Sequence, residues 1–330
     1  AWGSNLGIAT PVGTPPNLIA RNFVEKLGYR IGFMEWIYIV FPVWALSMIA
    51  MFLVLKFVIK PETPDWGKGS LEFLTKKRDD LGPMSRGEKV SALVFGTAML
   101  LWMLPDLVPL GIDLFQGAGT GAKNPVAIWL KANLDWSVSA IFMATALFMI
   151  PIGKNKDGQT VYAMNWGEAI KGIEWGTLAL IAGALSVGTA VASNEAGVGK
   201  FMQVAIKSLS GDGSSSFLFV VIVVAFTIIV GSFISNIAIM GMVGALVLGA
   251  APTATFNPIA MMIAVGMAAS FDFALPVGTP PSAMVFASGY VKIGTMFKGG
   301  AVMSIIGIII VSLFGYYSAN YFIPWPLVQH

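Results

Sequence analysis

The sequence contains no cysteine, and its one histidine is the last residue, His330. Disulfide bonds, thiolate nucleophiles and cysteine metal sites are therefore excluded, and histidine chemistry is not expected. Charge is also scarce, because 11% of the residues are charged, against about 25% in an average soluble domain. Together with 56% hydrophobic residues, this composition is typical of a polytopic membrane protein.

One six-residue string occurs twice in the chain. Pro11 to Pro16 reads PVGTPP, and Pro276 to Pro281 repeats it letter for letter. Proline has no backbone N–H and glycine lets the chain turn, so each copy interrupts the apolar segment around it. We therefore predict discontinuous helices over residues 1–27 and 257–291 and interpret the two copies as an internal repeat.

The remaining apolar runs predict the membrane spans. Runs long enough to cross ~30 Å of hydrocarbon lie at 33–58, 88–104, 136–152, 174–192 and 297–323. The apolar stretch 216–250 is too long for one crossing and too short for two. Its polar middle, Gly231 to Ile237 (GSFISNI), predicts the tip of a re-entrant hairpin. When this hairpin is counted as returning to its own side, the helices that carry the two copies cross the membrane in opposite directions. The repeat is therefore inverted.

These elements divide the chain into four parts. We predict the end of an N-terminal repeat at 1–60 and a cytoplasmic connector at 61–87. Scaffold spans with an interfacial arm helix follow at 88–212, and the C-terminal repeat occupies 213–330. Most of the 20 Lys and Arg residues fall on the connector side, which the positive-inside rule places in the cytoplasm. Because the chain begins inside an apolar segment, we expect it to be a fragment that lacks its N-terminal part.

The broken helices offer binding chemistry without charged side chains. The prolines free backbone carbonyls, which persist at membrane depth only where protein, water or an ion satisfies them. Sodium is a natural partner for such carbonyls, while the N-termini of the half-helices near Asn17 and Ser282, and of the hairpin arm beyond Asn236, attract anions. Cation and anion sites side by side are typical of ion-coupled transporters. The alternative interpretation is that the breaks are packing kinks and that Ser235 and Asn236 hydrogen-bond neighbouring helices.

Three motifs resemble those of a known family, the divalent anion:sodium symporters. They are TPVGTPPN, GSFISNIA and SFDFALPVGTPPSAMVFASG, and the resemblance covers the chain in element order. It implies an all-α polytopic membrane protein, an inverted-repeat secondary transporter with discontinuous helices and a re-entrant hairpin. It also implies alternating-access transport of a dicarboxylate such as succinate, or of citrate, with Na⁺ as the coupling ion. A homodimer in the cell's inner or plasma membrane is expected, without enzymatic activity or a nucleic-acid partner.

The resemblance also assigns residues to sites. One sodium ion would be held by Gly13 and Thr14 together with an N-terminal hairpin outside this chain. The second sodium ion would be held by the hairpin tip and the second break, at Gly231, Ile234, Asn236, Gly278 and Pro280. The substrate would contact Ser235, Asn236, Thr279 and Pro280.

Other functions remain open at this point. Sulfate or another inorganic anion would suit the same fold, and an anion exchanger or channel would use the same helix ends without sodium coupling.

Two residues depart from the family pattern, Ile237 in place of threonine and Ser282 in place of asparagine. Asp272 is the one acidic residue beside the second break, and it is either a functional carboxylate or a solvated residue at a cavity mouth.

The isoleucine at the hairpin tip generates a prediction about selectivity. A threonine hydroxyl there would donate to a carboxylate oxygen, and one such bond is worth ~1.5–3 kcal/mol, or about ten- to a hundredfold in affinity. Ile237→Thr is therefore expected to improve the uptake of succinate or citrate relative to the native anion. The measurement is the ratio of apparent affinities at saturating sodium, with Ile237→Val as the control of similar shape. An unchanged ratio would mean that Ile237 faces away from the substrate.

Overall fold

The computed structural model describes residues 2–60, 68–191, 216–254 and 256–325. The helices, in chain order, are α1 (Trp2–Asn5), α2 (Pro15–Lys26), α3 (Phe33–Val54), α4 (Lys68–Leu81), α5 (Arg86–Gln116), α6 (Pro125–Asn133), α7 (Trp136–Met149), α8 (Trp166–Gly172), α9 (Trp175–Val191), α10 (Ser216–Gly231), α11 (Asn236–Ala250), α12 (Pro258–Ala269), α13 (Pro280–Ala287), α14 (Ile293–Ile310) and α15 (Tyr316–Phe322). Two short strands, β1 (Pro151–Lys154) and β2 (Thr160–Tyr162), pair antiparallel. The predicted all-α fold is confirmed apart from this hairpin. The chain forms two compact units, Ala1–Pro61 with Trp175–His330, and Glu62–Glu174.

Both predicted discontinuous helices are present in the first unit. Helix α1 and a 3₁₀ turn at Gly7–Ala9 come before the first break, and α2 begins after it at Pro15. Helix α12 ends at Ala269, and α13 begins only at Pro280. Thr14 (φ −143°, ψ 146°) and Thr279 (φ −137°, ψ 143°) precede the proline pairs in the same extended conformation. Each pair fills the first two helical positions, where an N–H has no intrahelical partner.

The predicted hairpin is also present, formed by α10 and α11. The rings of Phe219, near the start of α10, and Phe256, beyond the end of α11, lie 5.1 Å apart, so the chain returns to where it started. The arms have 16 and 15 residues, about 24 Å each, which is shorter than the ~30 Å hydrocarbon core. Ser235 caps α11 by accepting a hydrogen bond from the N–H of Ile237.

Helix α12 is the centre of the first unit, because each of its residues is buried. A helix that is apolar all round is expected in such a central position. It runs antiparallel to α2, since Thr14 lies beside Ser270 and Ala20 lies beside Gly266. A Cβ at Gly266 would come within 2.8 Å of the Ala20 Cβ, so the close packing of the two helices depends on small residues here.

Three helical segments are long and apolar enough to cross a membrane within the described ranges: Phe33–Ile59, Arg86–Gln116 and Ile293–Phe322. The first segment ends in a π-helical turn at Leu55–Ile59, and the third contains one at Val311–Gly315. They agree with the predicted spans 33–58 and 297–323, while the predicted span 88–104 is part of a longer helix. In the second unit, α6 and α7 form a pair bent by 73°.

The predicted span 136–152 is too long at its C-terminal end. Helix α7 stops at Met149 because Pro151 begins strand β1. The turn between the strands is stabilised by Asn155, whose side chain accepts hydrogen bonds from the N–H groups of Asp157 and Gln159. The polar turn residues indicate this hairpin, but the apolar residues before them conceal the end of the helix.

The interfacial arm helix, which the sequence predicts at 197–207, falls outside the described residues. The four-part domain division stays a prediction, and helix α9 from its scaffold part belongs to the first compact unit. In the connector, α4 (Lys68–Leu81) is helical, while 61–67 lies outside the described ranges.

Asn257 holds the start of α12 in place. Its Oδ1 accepts hydrogen bonds from the N–H groups of Ile259 and Ala260, which caps the helix. Its Nδ2 donates to Asn320 Oδ1 over 3.0 Å and to the carbonyl of Ile323 over 2.6 Å. One buried side chain thus joins the central helix to the end of the last span.

Removing this side chain is expected to destabilise the fold. Asn257→Ala loses a cap worth ~1 kcal/mol and leaves buried groups unpaired at ~1–3 kcal/mol, so the free energy of unfolding should fall by about 2–4 kcal/mol. Unfolding in mixed micelles measures the loss. The matched control is Asn22→Ala, which removes an exposed bond to the Leu18 carbonyl. Equal effects of the two substitutions would contradict the clamping role of Asn257.

Candidate functional site

The two breaks are joined by a reciprocal pair of hydrogen-bonding contacts. The hydroxyl oxygens of Thr14 and Ser270 lie 3.1 Å apart, and the Thr279 hydroxyl donates to Asn5 Oδ1 over 3.4 Å. In the repeat alignment Thr14 corresponds to Thr279 and Asn5 to Ser270. Position 14 of the first repeat thus contacts position 270 of the second, and the equivalent position 279 of the second repeat contacts the equivalent position 5 of the first. Such reciprocal contacts are the pattern of a two-fold, isologous interface.

Two further hydrogen bonds satisfy carbonyls at equivalent positions of the two breaks. The indole N–H of Trp36 donates to the carbonyl of Ile8 over 3.0 Å, and that of Trp2 donates to the carbonyl of Phe273 over 3.1 Å. Ile8 and Phe273 occupy equivalent positions in the repeat. A buried indole thus satisfies the same carbonyl in both breaks, although the two tryptophans are not equivalent in sequence.

Asparagine side chains pair further carbonyls. Asn17 Nδ2 donates to the carbonyl of Thr10 over 2.8 Å and lies 3.4 Å from that of Ile8. Asn5 Nδ2 donates to the carbonyl of Asp272. The sequence predicted that protein, water or an ion would satisfy the freed carbonyls, and these ones are satisfied by protein side chains.

Other carbonyls of the breaks remain available. Those of residues 11–13 and 274–278 accept no hydrogen bond from the described part of the chain. Gly13 and Gly278 lie in these two segments, and neither has a positive φ. Their small size matters instead, because a Cβ at Gly13 would overlap the Gly7 carbonyl and a Cβ at Gly278 would overlap the Asp272 carboxylate.

The hairpin tip presents a third set of backbone oxygens. The carbonyl of Gly231 accepts a bond from the N–H of Ile234 over 3.3 Å, while the carbonyls of 232–234 accept none from the described residues. Asn236, 8% exposed, has no hydrogen-bond partner for its Oδ1 within those residues. Ile237 is 7% exposed and packs in the apolar core.

The structure therefore brings some of the predicted site residues together and leaves others apart. Thr14 and Thr279 take part in the paired contacts. Gly13, which is exposed, lies in the first break. Gly278, which is buried, lies in the second break, and Pro280 follows it at the start of α13. No hydrogen bond joins the tip residues Gly231, Ile234, Ser235 and Asn236 to either break across the described ranges. Their membership of one site stays a prediction.

Sequence reasoning missed Asn5, Ser270 and the two tryptophans, and it named Asn17 only as the start of a half-helix. Extending the repeat alignment upstream of the prolines pairs Asn5 with Ser270, both polar in apolar surroundings, and this would have indicated the cross-repeat contacts. The tryptophans carry no such signal, because their partners depend on how distant helices pack. Asp272 was noted in the sequence, and the structure buries it to 2% exposure.

The breaks offer carbonyl, hydroxyl and amide oxygens with one carboxylate. Such oxygen ligands suit hard cations such as sodium and not soft transition metals. Among the described residues, no three or more His, Cys, Asp or Glu side chains form a group that could hold a metal ion. Helices α2 and α13 both begin at the breaks, so their N-terminal dipoles favour an anion nearby.

Comparison with known proteins gives a consistent result. A family model described as the sodium:sulfate symporter transmembrane region matches residues 4–325. Sodium-dependent dicarboxylate transporter SdcS of Staphylococcus aureus strain USA300 is 28% identical over 312 residues, or 94% of this chain and 56% of that protein. The SdcS proteins of strains NCTC 8325 / PS 47 and bovine RF122/ET3-1 match to the same extent. The chain thus spans about half the length of these curated relatives, whose names are those of transporters and not of enzymes.

The reciprocal contacts generate a prediction about energetic coupling. Double-mutant cycles with Thr14→Val and Ser270→Ala, and with Thr279→Val and Asn5→Ala, are each expected to give coupling energies of about 0.5–1.5 kcal/mol in unfolding free energy. The control cycle combines Thr14→Val with Thr227→Val, since Thr227 bonds the Val223 carbonyl within its own helix. Coupling in only one of the two repeat pairs would contradict the two-fold arrangement.

Proposed function

The chain belongs to the sodium:sulfate symporter transmembrane family, and we propose that the protein carries a divalent anion across the membrane together with sodium ions. The transport proceeds by alternating access, and the two paired breaks form the centre of the binding region. The single observation that carries this proposal is the reciprocal pairing of Thr14 with Ser270 and of Thr279 with Asn5. This pairing joins the two breaks, and their free carbonyls, of which those of Pro11, Ala274 and Gly278 belong to buried residues, offer oxygen ligands to cations.

The scarcity of charge around the breaks supports the coupling to sodium. Residues 2–20 carry no charged side chain, and Asp272 is the only one in 216–291. The nearest basic residue along α2 is Arg21, which forms an ion pair with Glu25 over 2.8 Å. A divalent anion bound here finds no lysine or arginine on these segments, so its charge is balanced by helix N-termini and by bound cations. Sodium ions that bind with the anion supply this balance.

The proposed sites follow the family resemblance. Sodium ions bind at Gly13 and Thr14 in the first break, and at Gly278 and Pro280 in the second break with Gly231, Ile234 and Asn236 of the hairpin tip. The anion binds between the helix ends, near Ser235, Asn236, Thr279 and Pro280. The favoured substrate class is a dicarboxylate such as succinate, or citrate, which agrees with the names of the relatives. Sulfate is the second candidate, favoured by the description of the family model. We also propose a homodimer in the inner or plasma membrane.

Uptake by the full-length protein in proteoliposomes tests the coupling. Labelled succinate, citrate and sulfate are offered with sodium or with choline, at fixed membrane potential and pH. We expect uptake of one of these anions only in sodium, because the free carbonyls of the breaks need a cation. Equal uptake in choline would contradict sodium coupling and indicate an exchanger or a channel.

The second test changes the space at a break. Gly278→Val places a branched side chain where the Asp272 carboxylate lies, so the break must shift. The initial rate of sodium-dependent uptake should fall by about tenfold or more, while the protein still inserts and accumulates. Gly294→Val is the matched control, because a Cβ at the exposed Gly294 meets nothing within 4 Å. Near-normal uptake by well-expressed Gly278→Val protein would show that the second break is a packing kink.

A further inference from the structure

The two breaks differ in one chemically important position. The repeat alignment pairs Gly7 of the first break with Asp272 of the second. The structure places these equivalent residues alike, since Gly7 lies against Gly13 and Asp272 lies against Gly278. The first break therefore presents a backbone carbonyl where the second presents a carboxylate.

The Asp272 carboxylate is buried and has no partner among the described residues. The residue is 2% exposed, and neither Oδ1 nor Oδ2 has a hydrogen-bond partner. No lysine or arginine of the described ranges forms an ion pair with it. Asn5 binds the backbone carbonyl of Asp272 and leaves the carboxylate itself unpaired. A buried ionised carboxylate is strongly unfavourable unless a positive charge accompanies it.

Two species can neutralise this group, a proton or a metal cation. Neither carboxylate oxygen accepts a hydrogen bond in the described chain, so no protein donor stabilises the charge. A proton would make the group neutral, whereas a cation would bind it in the ionised form. The adjacent segment 274–278 instead offers carbonyls that accept no hydrogen bond from the described residues. Carboxylate and carbonyl oxygens together are the ligands that hard cations prefer.

We propose that Asp272 is a direct ligand of a sodium ion at the second break, together with free carbonyls of 274–278. This inference rests on the proposed sodium site and adds a formal negative charge to it. The first break lacks such a charge because Gly7 has no side chain. The second break therefore binds sodium more tightly than the first, and its cation is neutralised by the protein. The cation at the first break remains to balance the charge of the anion.

Cation binding to the purified full-length protein tests this role without measuring transport. The midpoint of thermal unfolding is followed against sodium concentration, with choline keeping the ionic strength constant, since a ligand of the folded state raises the midpoint. The variants are Asp272→Asn, which keeps the size of the side chain, and Asp272→Gly, which copies the first break. The control is Asp80→Asn, because Asp80 lies exposed on α4.

The proposal predicts opposite effects with and without sodium. In choline, Asp272→Asn should unfold at a higher temperature than the wild type, because a buried charge has been removed. Its apparent sodium affinity should fall by about tenfold or more, and Asp80→Asn should behave as the wild type. An unchanged sodium dependence in Asp272→Asn would overturn the role of Asp272 and leave the sodium site itself intact. No sodium dependence in the wild type would overturn the proposed function as well.

An infrared measurement on the wild type gives an answer if the variants do not accumulate. The difference spectrum between sodium and choline, recorded with isotope-labelled aspartate, reports the state of the buried carboxylate. A band of an ionised carboxylate that shifts with sodium supports the proposal. A carboxylic acid band that is the same in both salts overturns it, because the group is then neutralised by a proton.

Discussion

Every interruption of a helix within a membrane releases backbone carbonyls that hydrocarbon cannot hydrogen-bond, at a cost of several kcal/mol each. The two PVGTPP strings create this problem twice in the same chain. The architecture around them follows from the need to solve it. Helix α12 is completely buried, α2 packs against it in the opposite direction, and indole and amide groups reach into the breaks. The carbonyls that remain free lie close to the helix ends, some on buried residues such as Gly278 and others on exposed residues such as Gly13.

The two breaks contact each other through equivalent positions of the repeat. Thr14 meets Ser270 and Thr279 meets Asn5, so that each break supports the other. The symmetry is incomplete where binding is proposed. Gly7 corresponds to Asp272, and Asn17 corresponds to Ser282. Packing is thus shared by the two repeats, whereas the charge that a cation meets differs between them.

The sequence was sufficient for features that depend on local chemistry. Proline lacks an N–H wherever the chain goes, so both breaks were predictable, and the polar tip between two short apolar arms predicted the hairpin. The partners of the freed carbonyls were not predictable. Trp36 and Ile8 are 28 positions apart, and Trp2 and Phe273 are 271 positions apart, so these bonds exist only once distant helices have packed. Likewise, hydropathy predicted the apolar region of α7 but not its end, because Ile150 and Ile152 continue the apolar run past Met149. Whether the hairpin tip joins the second break depends on such distant packing as well.

The proposed sodium sites lie at the free carbonyls of the paired breaks. A pair of density maps of the full-length protein in lipid nanodiscs, one in sodium and one in choline, tests them directly. We expect density between the carbonyls of 274–278 and the Asp272 carboxylate, and beside the carbonyls of 11–13, that is present in sodium and absent in choline. Identical maps in the two salts, with both breaks paired as described, would contradict it.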